Sequence, residues 1–254
     1  MGRVRVIPVL LIKNGGLYKG VKFKNHKYIG DPINAVKIFN EKEVDELMLL
    51  DISATPGSKE PDYRLISNIS GEAFMPIGYG GGLNSINQVK RVLYDGVEKV
   101  VLNSNVFGNY KLIEDIASSS GSQSIVVSID IKKNLFGKAE VYSHCGTVNT
   151  HKDPLEYAKE LENAGVGELI IQSVDKDGTY SGYDLKLLKK ISESVNIPII
   201  ASCGAAGIED FQKAVIEGGA SAVAAGSLFV FFSNAKGVLI NYPSQEELKK
   251  NLSV

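Results

Sequence analysis

Tryptophan is absent, only three histidines occur, and cysteine is limited to Cys145 and Cys203. Two cysteines so far apart match no zinc spacing and staple no scaffold, so no metal is expected. They read as buried or reduced thiols of a cytoplasmic protein. No apolar run approaches 18 residues, so no membrane-spanning helix is expected. The 28 basic and 29 acidic side chains leave a formal charge of −1, with no cationic field to hold nucleic acid. The opening MGRVRVIPVLLIKNGG joins basic residues to a short apolar run without a small-residue cleavage site. It reads as a first strand rather than a signal peptide.

What is present is globular: 254 residues, 44% hydrophobic and 22% charged. That length suits one large α/β domain or two of about 125 residues. Strands are expected at Val4–Ile12, Glu46–Ile52, Phe74–Tyr79, Lys99–Asn103, Ser124–Asp130, Glu168–Val174, Ile197–Ser202 and Ala222–Gly226. Runs such as VEKVVLN and SIVVSID are nearly all apolar, which suits parallel strands covered on both faces. Helices are expected at Asp31–Glu43, Asp62–Ser70, Asn84–Tyr94, Tyr110–Ala117, Asp153–Ala164, Asp184–Ser194 and Ile208–Glu217, two of them opened by Asp-Pro. Eight such units point to a single (β/α)8 TIM barrel. An open doubly wound sheet is the alternative, but its GxGxxG turn is missing.

An internal repeat favours closure. PIGYGGGLNSINQVKRVLYDGVEKVVLNSNVF resembles PIIASCGAAGIEDFQKAVIEGGASAVAAGSLFV, with Pro76, Gly82 and Gly96 aligned to Pro198, Gly204 and Gly218. The same offset aligns Glu46 with Glu168, and VIPVLLI on VVSIDI sets Leu11 against Asp130. Two half-barrels, near 1–122 and 123–254, are expected.

In such barrels the chemistry gathers where strands end. Gly81 and Gly82 follow the third strand, Asn103 and Ser104 the fourth, Gly204 and Ala205 the seventh, Gly226 and Ser227 the eighth. Glycine lets backbone N–H groups approach an anion, and a following helix adds positive partial charge. Two phosphate cradles, one per half, are expected; tight turns without a ligand are the alternative. Asp177, Gly178 and Thr179 in DKDGT extend this set, with a turn or helix-entry role equally open for the aspartate. The first loop, KNGGLYKGVKFKNHKYIGD, reads as a mobile lid in which Lys19 reaches toward substrate, or as a solvated basic loop. Cys203 follows the seventh strand, and its side chain would narrow the second cradle. His144 and Cys145 read as surface-loop residues.

GDPINAVKIFNEKEVDELMLLDI, the GGG turn, VVLNS, SIDIK, SVDKDGTYSGYDLKLL and PIIASCGA together resemble the cyclase subunit of imidazole glycerol phosphate synthase. The resemblance covers nearly the whole chain. It implies a barrel that docks a glutaminase and passes ammonia through its core, without a cofactor, to a bisphosphorylated ribulosyl intermediate. The products would be imidazole glycerol phosphate and an aminoimidazole carboxamide ribotide. The family's acid–base pair would be Asp130 and a first-strand aspartate, but position 11 is leucine. A positioned acid or base contributes roughly 10²–10⁴-fold, so standard cyclisation should be weak unless Asp175, Asp177 or a water substitutes. The resemblance also makes Arg5, Glu46, Lys99 and Glu168 the gate of the ammonia conduit, a stability plug being the alternative, and Glu98 a glutaminase contact. Leu11 points to a paralogue serving amidation in surface-polysaccharide synthesis, with a third, ATP-using protein. A histidine-pathway cyclase and a non-catalytic barrel that activates the glutaminase are the other readings.

Overall fold

The computed structural model describes residues 4–55, 57, 59–232 and 237–252; the outer limits of the two expected half-barrels fall outside these residues. Eight parallel strands close into a barrel: β1 Arg5–Lys13, β2 Leu47–Asp51, β3 Ile77–Gly80, β4 Lys99–Leu102, β5 Ile125–Lys133, β6 Glu168–Ser173, β7 Ile199–Ser202 and β8 Ala222–Ala225. Each pairs with the next, and β8 returns to β1 with Ala222 to Ala225 opposite Arg5 to Pro8. The third and seventh strands begin later than their apolar runs. Pro76 and Pro198 have no N–H to donate, so the ladders start at Ile77 and Ile199, while Pro76 still accepts from Leu47 N at 2.9 Å.

Between the strands lie α1 Pro32–Glu41, α2 Tyr63–Glu72, α3 Ile86–Tyr94, α4 Tyr110–Ser120, α5 Pro154–Asn163, α6 Leu185–Ser192 and α7 Ile208–Ile216. A short α8, Ser227–Val230, and a terminal α9, Gln245–Leu252, complete the outer layer. The Asp-Pro starts work as capped N-termini: Asp31 accepts from Asn34 N at 2.9 Å and Asp153 from Leu155 N at 2.9 Å. Among the described residues no helix is long and apolar enough to cross a membrane.

The period of two along the strands divides the apolar residues into two cores. Ile7, Val9 and Leu11 of β1 join Met48, Val126, Ile170 and Ile200 inside the barrel. Val6, Leu10 and Ile12 face outward to the helices.

The first loop is not a free lid. Gly16–Val21 runs antiparallel to β1, with Leu11 opposite Tyr18, and Lys24–Gly30 pairs back onto it. A second hairpin follows β5, with Ala139–Ser143 folding back so that Asp130 faces Tyr142. Both hairpins rise over the C-terminal mouth of the barrel.

Phe211 of α7 is fully buried, lies 6.2 Å from the Phe229 ring, and Phe229 lies 5.3 Å from Tyr242. Phe211→Ala should therefore lower stability by about 3–5 kcal/mol in denaturant unfolding. A loss below about 1 kcal/mol would mean that the outer layer collapses to fill the gap.

Candidate active site

At the N-terminal end of the lumen four charges meet. Arg5 pairs with both Glu46 and Glu168, and Lys99 Nζ lies 3.1 Å from Glu46 and 2.8 Å from Glu168. Burial works against the Arg5 charge, but Glu168 and then Glu46 outweigh it and raise its pKa. Two cations and two anions thus alternate around a neutral ring, the arrangement that makes buried charge tolerable. Glu98 is exposed beside it, with one oxygen accepting from Ile77 N at 2.6 Å.

At the other end the lumen opens into a cavity of about 540 Å³. Its wall brings together Leu11, Asp130, Gly81, Gly82, Asn103, Ser104, Gly204, Ala205, Gly226, Ser227, Gly178 and Lys19. Asp130 is 2% exposed, and its Oδ1 has no hydrogen-bond partner among the described residues. Burial pushes its pKa up to about 7, against the pull of Asn103, Lys132, Ser128 and the Gly146 amide. Leu11 lines the same cavity from β1.

The glycine turns are shaped for close approach. Gly82 has φ +71°, and a Cβ there would come within 2.7 Å of Lys59 O; Gly204 has φ +110°, and a Cβ would meet Gly182 O at 2.3 Å. Of the long helices that follow, α3 has a side-chain cap and α7 has none. Ser85 accepts from Gln88 N at 3.4 Å ahead of α3, and Asp210 accepts from Ala206 N at 2.8 Å ahead of α7. Short helical turns opened by Ser104 and Ser227 also border the cavity.

Other expectations change for physical reasons. The Asp177 carboxylate cannot donate to a phosphate, and it is already engaged: Lys19 Nζ lies 3.1 Å away and Phe23 N donates from 3.3 Å, while Asp177 O accepts from Lys22 N at 3.0 Å. It anchors the first hairpin, and Lys19 is buried rather than reaching from a solvated loop. Thr179 does not line the cavity; its hydroxyl donates to Lys176 O at 2.8 Å within its own turn. Asp175 accepts from Lys133 N at 2.9 Å, also off the cavity wall. Cys203 adopts φ +74°, unusual for a side chain with a Cβ, but its Sγ turns to Gln172 Oε1 at 3.7 Å instead of filling the glycine turn. His144 and Cys145 lie on the cavity wall, and burial pushes the Cys145 thiol up to about 11. That value leaves it protonated and a poor nucleophile.

The sequence profile of the family described as histidine biosynthesis protein matches residues 5–235. A Pseudomonas aeruginosa protein, provisionally named imidazole glycerol phosphate synthase subunit hisF2, is 49% identical over 248 residues, covering 98% of this chain and 99% of its own. A Vibrio vulnificus protein provisionally named as subunit hisF3 is 49% identical over 255 residues, covering 100% and 98%. Subunit HisF of Alkaliphilus metalliredigens is 38% identical over 225 residues, or 89% of each chain. The chain belongs to the HisF family of imidazole glycerol phosphate synthase subunits.

In this HisF-family barrel several cavity residues carried no sequence signal of their own. Asp51 ends β2 and faces the cavity, its carboxylate held by Ser53 N at 2.8 Å and Ser53 Oγ at 2.7 Å. Gln172 spans neighbouring strands, donating to Ser128 Oγ at 2.5 Å. Tyr180 donates to Ser227 O at 3.2 Å across the cavity edge. Gln172 was accessible by strand alternation, since Glu168, Ile170 and Gln172 share one face of β6.

Because Asp130 binds its proton more tightly folded than unfolded, the native state of this HisF-family chain holds the extra proton between about pH 4 and pH 7. Its contribution to stability is full below that window and is lost as pH rises through it. Asp130→Asn should therefore raise Tm at pH 8 and change it little at pH 4. Equal shifts at both pH values would refute the buried, proton-binding carboxyl.

Proposed function

We propose that this chain is the synthase subunit of a glutamine amidotransferase complex. In this reading a separate glutaminase docks at the face bearing Glu98. Ammonia enters at the ring of Arg5, Glu46, Lys99 and Glu168 and meets a phosphorylated acceptor beside Asp130. The carrying observation is the sequence of environments along one axis. A ring of balanced charges leads to a lumen lined by Ile7, Met48, Val126, Ile170 and Ile200, which leads to a cavity holding the buried Asp130 carboxyl. Uncharged ammonia crosses an apolar lumen cheaply, whereas ammonium or another ion would carry a large desolvation cost. Gly81, Gly82, Asn103 and Ser104 would hold one phosphate, and Gly178, Gly204, Ala205, Gly226 and Ser227 the other.

Leu11 favours a version of this chemistry other than imidazole formation. With an aliphatic side chain opposite Asp130, the cavity lacks one of the two proton carriers that the histidine-pathway cyclisation uses. The acceptor in this reading belongs to an amidation that builds an amidino group on a surface-polysaccharide sugar, completed by an ATP-using third protein. Two relatives at 49% identity bear the numbered names hisF2 and hisF3, which supports a paralogue.

Two measurements test the reading. Glutamine hydrolysis by the co-purified glutaminase should rise about ten-fold or more when this chain is added, and Lys99→Met should change the fraction of ammonia that reaches the cavity. An unchanged hydrolysis rate would remove the subunit assignment. With free ammonia, turnover of the bisphosphorylated ribulosyl substrate should be slow, and Leu11→Asp should speed it by roughly 10²-fold or more. Fast turnover by the unaltered chain would restore the histidine-pathway assignment.

A further inference from the structure

With leucine at position 11, β1 gives Asp130 no titrating partner, yet the cavity has a roof as well as a floor. That roof is the first hairpin, and its outer strand Lys24–Gly30 carries His26, one of the residues lining the cavity. The imidazole lies across the hairpin against Gly20, where a Cβ would stand 3.0 Å from the ring Cδ2 and 3.3 Å from Nε2. Such a Cβ would first meet Lys24 O at 2.3 Å, so the hairpin backbone requires glycine here and the ring packs against it. Three charged groups face it: Lys13 from β1, Lys19 from the inner hairpin strand, and Asp177 from the turn after β6. Neither ring nitrogen is held by a hydrogen bond among the described residues.

The other titratable groups of the cavity are already engaged or in the wrong protonation state. Asp51 is held by Ser53, and Asp177 is paired with Lys19. His144 shares its Nδ1 with Ser143 Oγ at 3.0 Å. Burial keeps the Cys145 and Cys203 thiols protonated. His26 is the group that combines access to the cavity with free ring nitrogens.

We propose that His26 is a proton-transfer group of this cavity, supplying from the roof the function that β1 lost at Leu11. The assignment rests on the ammonia-transfer reading above. When ammonia adds to an electrophilic carbonyl carbon, a C–N bond forms and the π pair of the C=O bond moves to oxygen. That oxygen takes the proton of neutral Asp130, and the nitrogen, now positive, gives a proton to a neutral ring nitrogen of His26. No oxidant, reductant or further reactant is needed. The environments suit the division of labour. Burial and then the charges of Lys13 and Lys19 hold His26 below its usual pKa, with Asp177 opposing, so the ring is neutral near pH 7. Asp130, pushed up to about 7, retains a proton there. Two groups whose environments drive their pKa values apart from their usual order form an acid and a base.

The test compares four full-length proteins: the unaltered chain, His26→Gln, Leu11→Asp and the double variant. Turnover of the bisphosphorylated ribulosyl substrate with ammonium chloride is followed from pH 5 to pH 9, and the His26 ring is titrated by NMR. His26→Gln should lower the slow rate of the unaltered chain about ten-fold or more and remove a limb of the pH profile that coincides with the NMR titration. In the Leu11→Asp background the same substitution should cost several-fold less, because a carboxylate again supplies the second group. Equal losses in both backgrounds, or a profile unchanged by His26→Gln, overturn the proposal. So does silence of all four proteins, since a cavity inert with both carboxylates in place offers His26 no proton to move. Glutaminase stimulation needs no acceptor and tests the ammonia-transfer reading separately.

Discussion

Closure of the sheet by β1 against β8 is the constraint on which everything else depends. Once Arg5 to Pro8 lie opposite Ala222 to Ala225, alternate side chains of all eight strands share one interior. Closure brings Arg5, Glu46, Lys99 and Glu168 together from four separate strands or strand entries. It also stacks the apolar layer above them and sets Asp130 at the top of that layer. An open sheet of the same sequence would leave these charges on a line, with no ring to neutralise them.

Polarity along the axis then follows from strand position. The lower lumen is dry and aliphatic. At the level of Ser128, Gln172 and Ser202 the wall turns polar on the side of β5 to β7, while Leu11, Leu50 and Val101 keep the side of β1 to β4 apolar. At that level the wall is lopsided, polar along β5 to β7 and apolar along β1 to β4. A buried carboxyl facing an aliphatic wall keeps its proton to near-neutral pH, which is why Leu11 shapes the chemistry of Asp130 as well as removing a partner.

Much of this was legible before any coordinates. Parallel strands covered on both faces write themselves as apolar runs, so all eight were readable, and the Asp-Pro pairs marked two helix starts. The charged ring came from the family resemblance, which marks these four positions near strand starts. The hairpins over the mouth were not legible. Lys24–Gly30 is mostly exposed and basic, and its pairing is decided by docking on β1 rather than by an alternating pattern. A DKDGT turn looks the same whether its aspartate faces a ligand or a lysine 158 positions away, so both readings of Asp177 stayed open in the sequence. His26 acquires its surroundings only when Lys13, Lys19 and Asp177 meet around it.

Asp177 fastens the roof at three points, through a buried ion pair to Lys19, a carboxylate bond from Phe23 N and a main-chain bond from Lys22 N. Lifting the hairpin to exchange contents would strand a lysine and a carboxylate at once in a poorly hydrated crevice. The dwell time of whatever occupies the chamber is thereby tied to the rupture of one latch, and turnover can be paced by departure instead of by bond making.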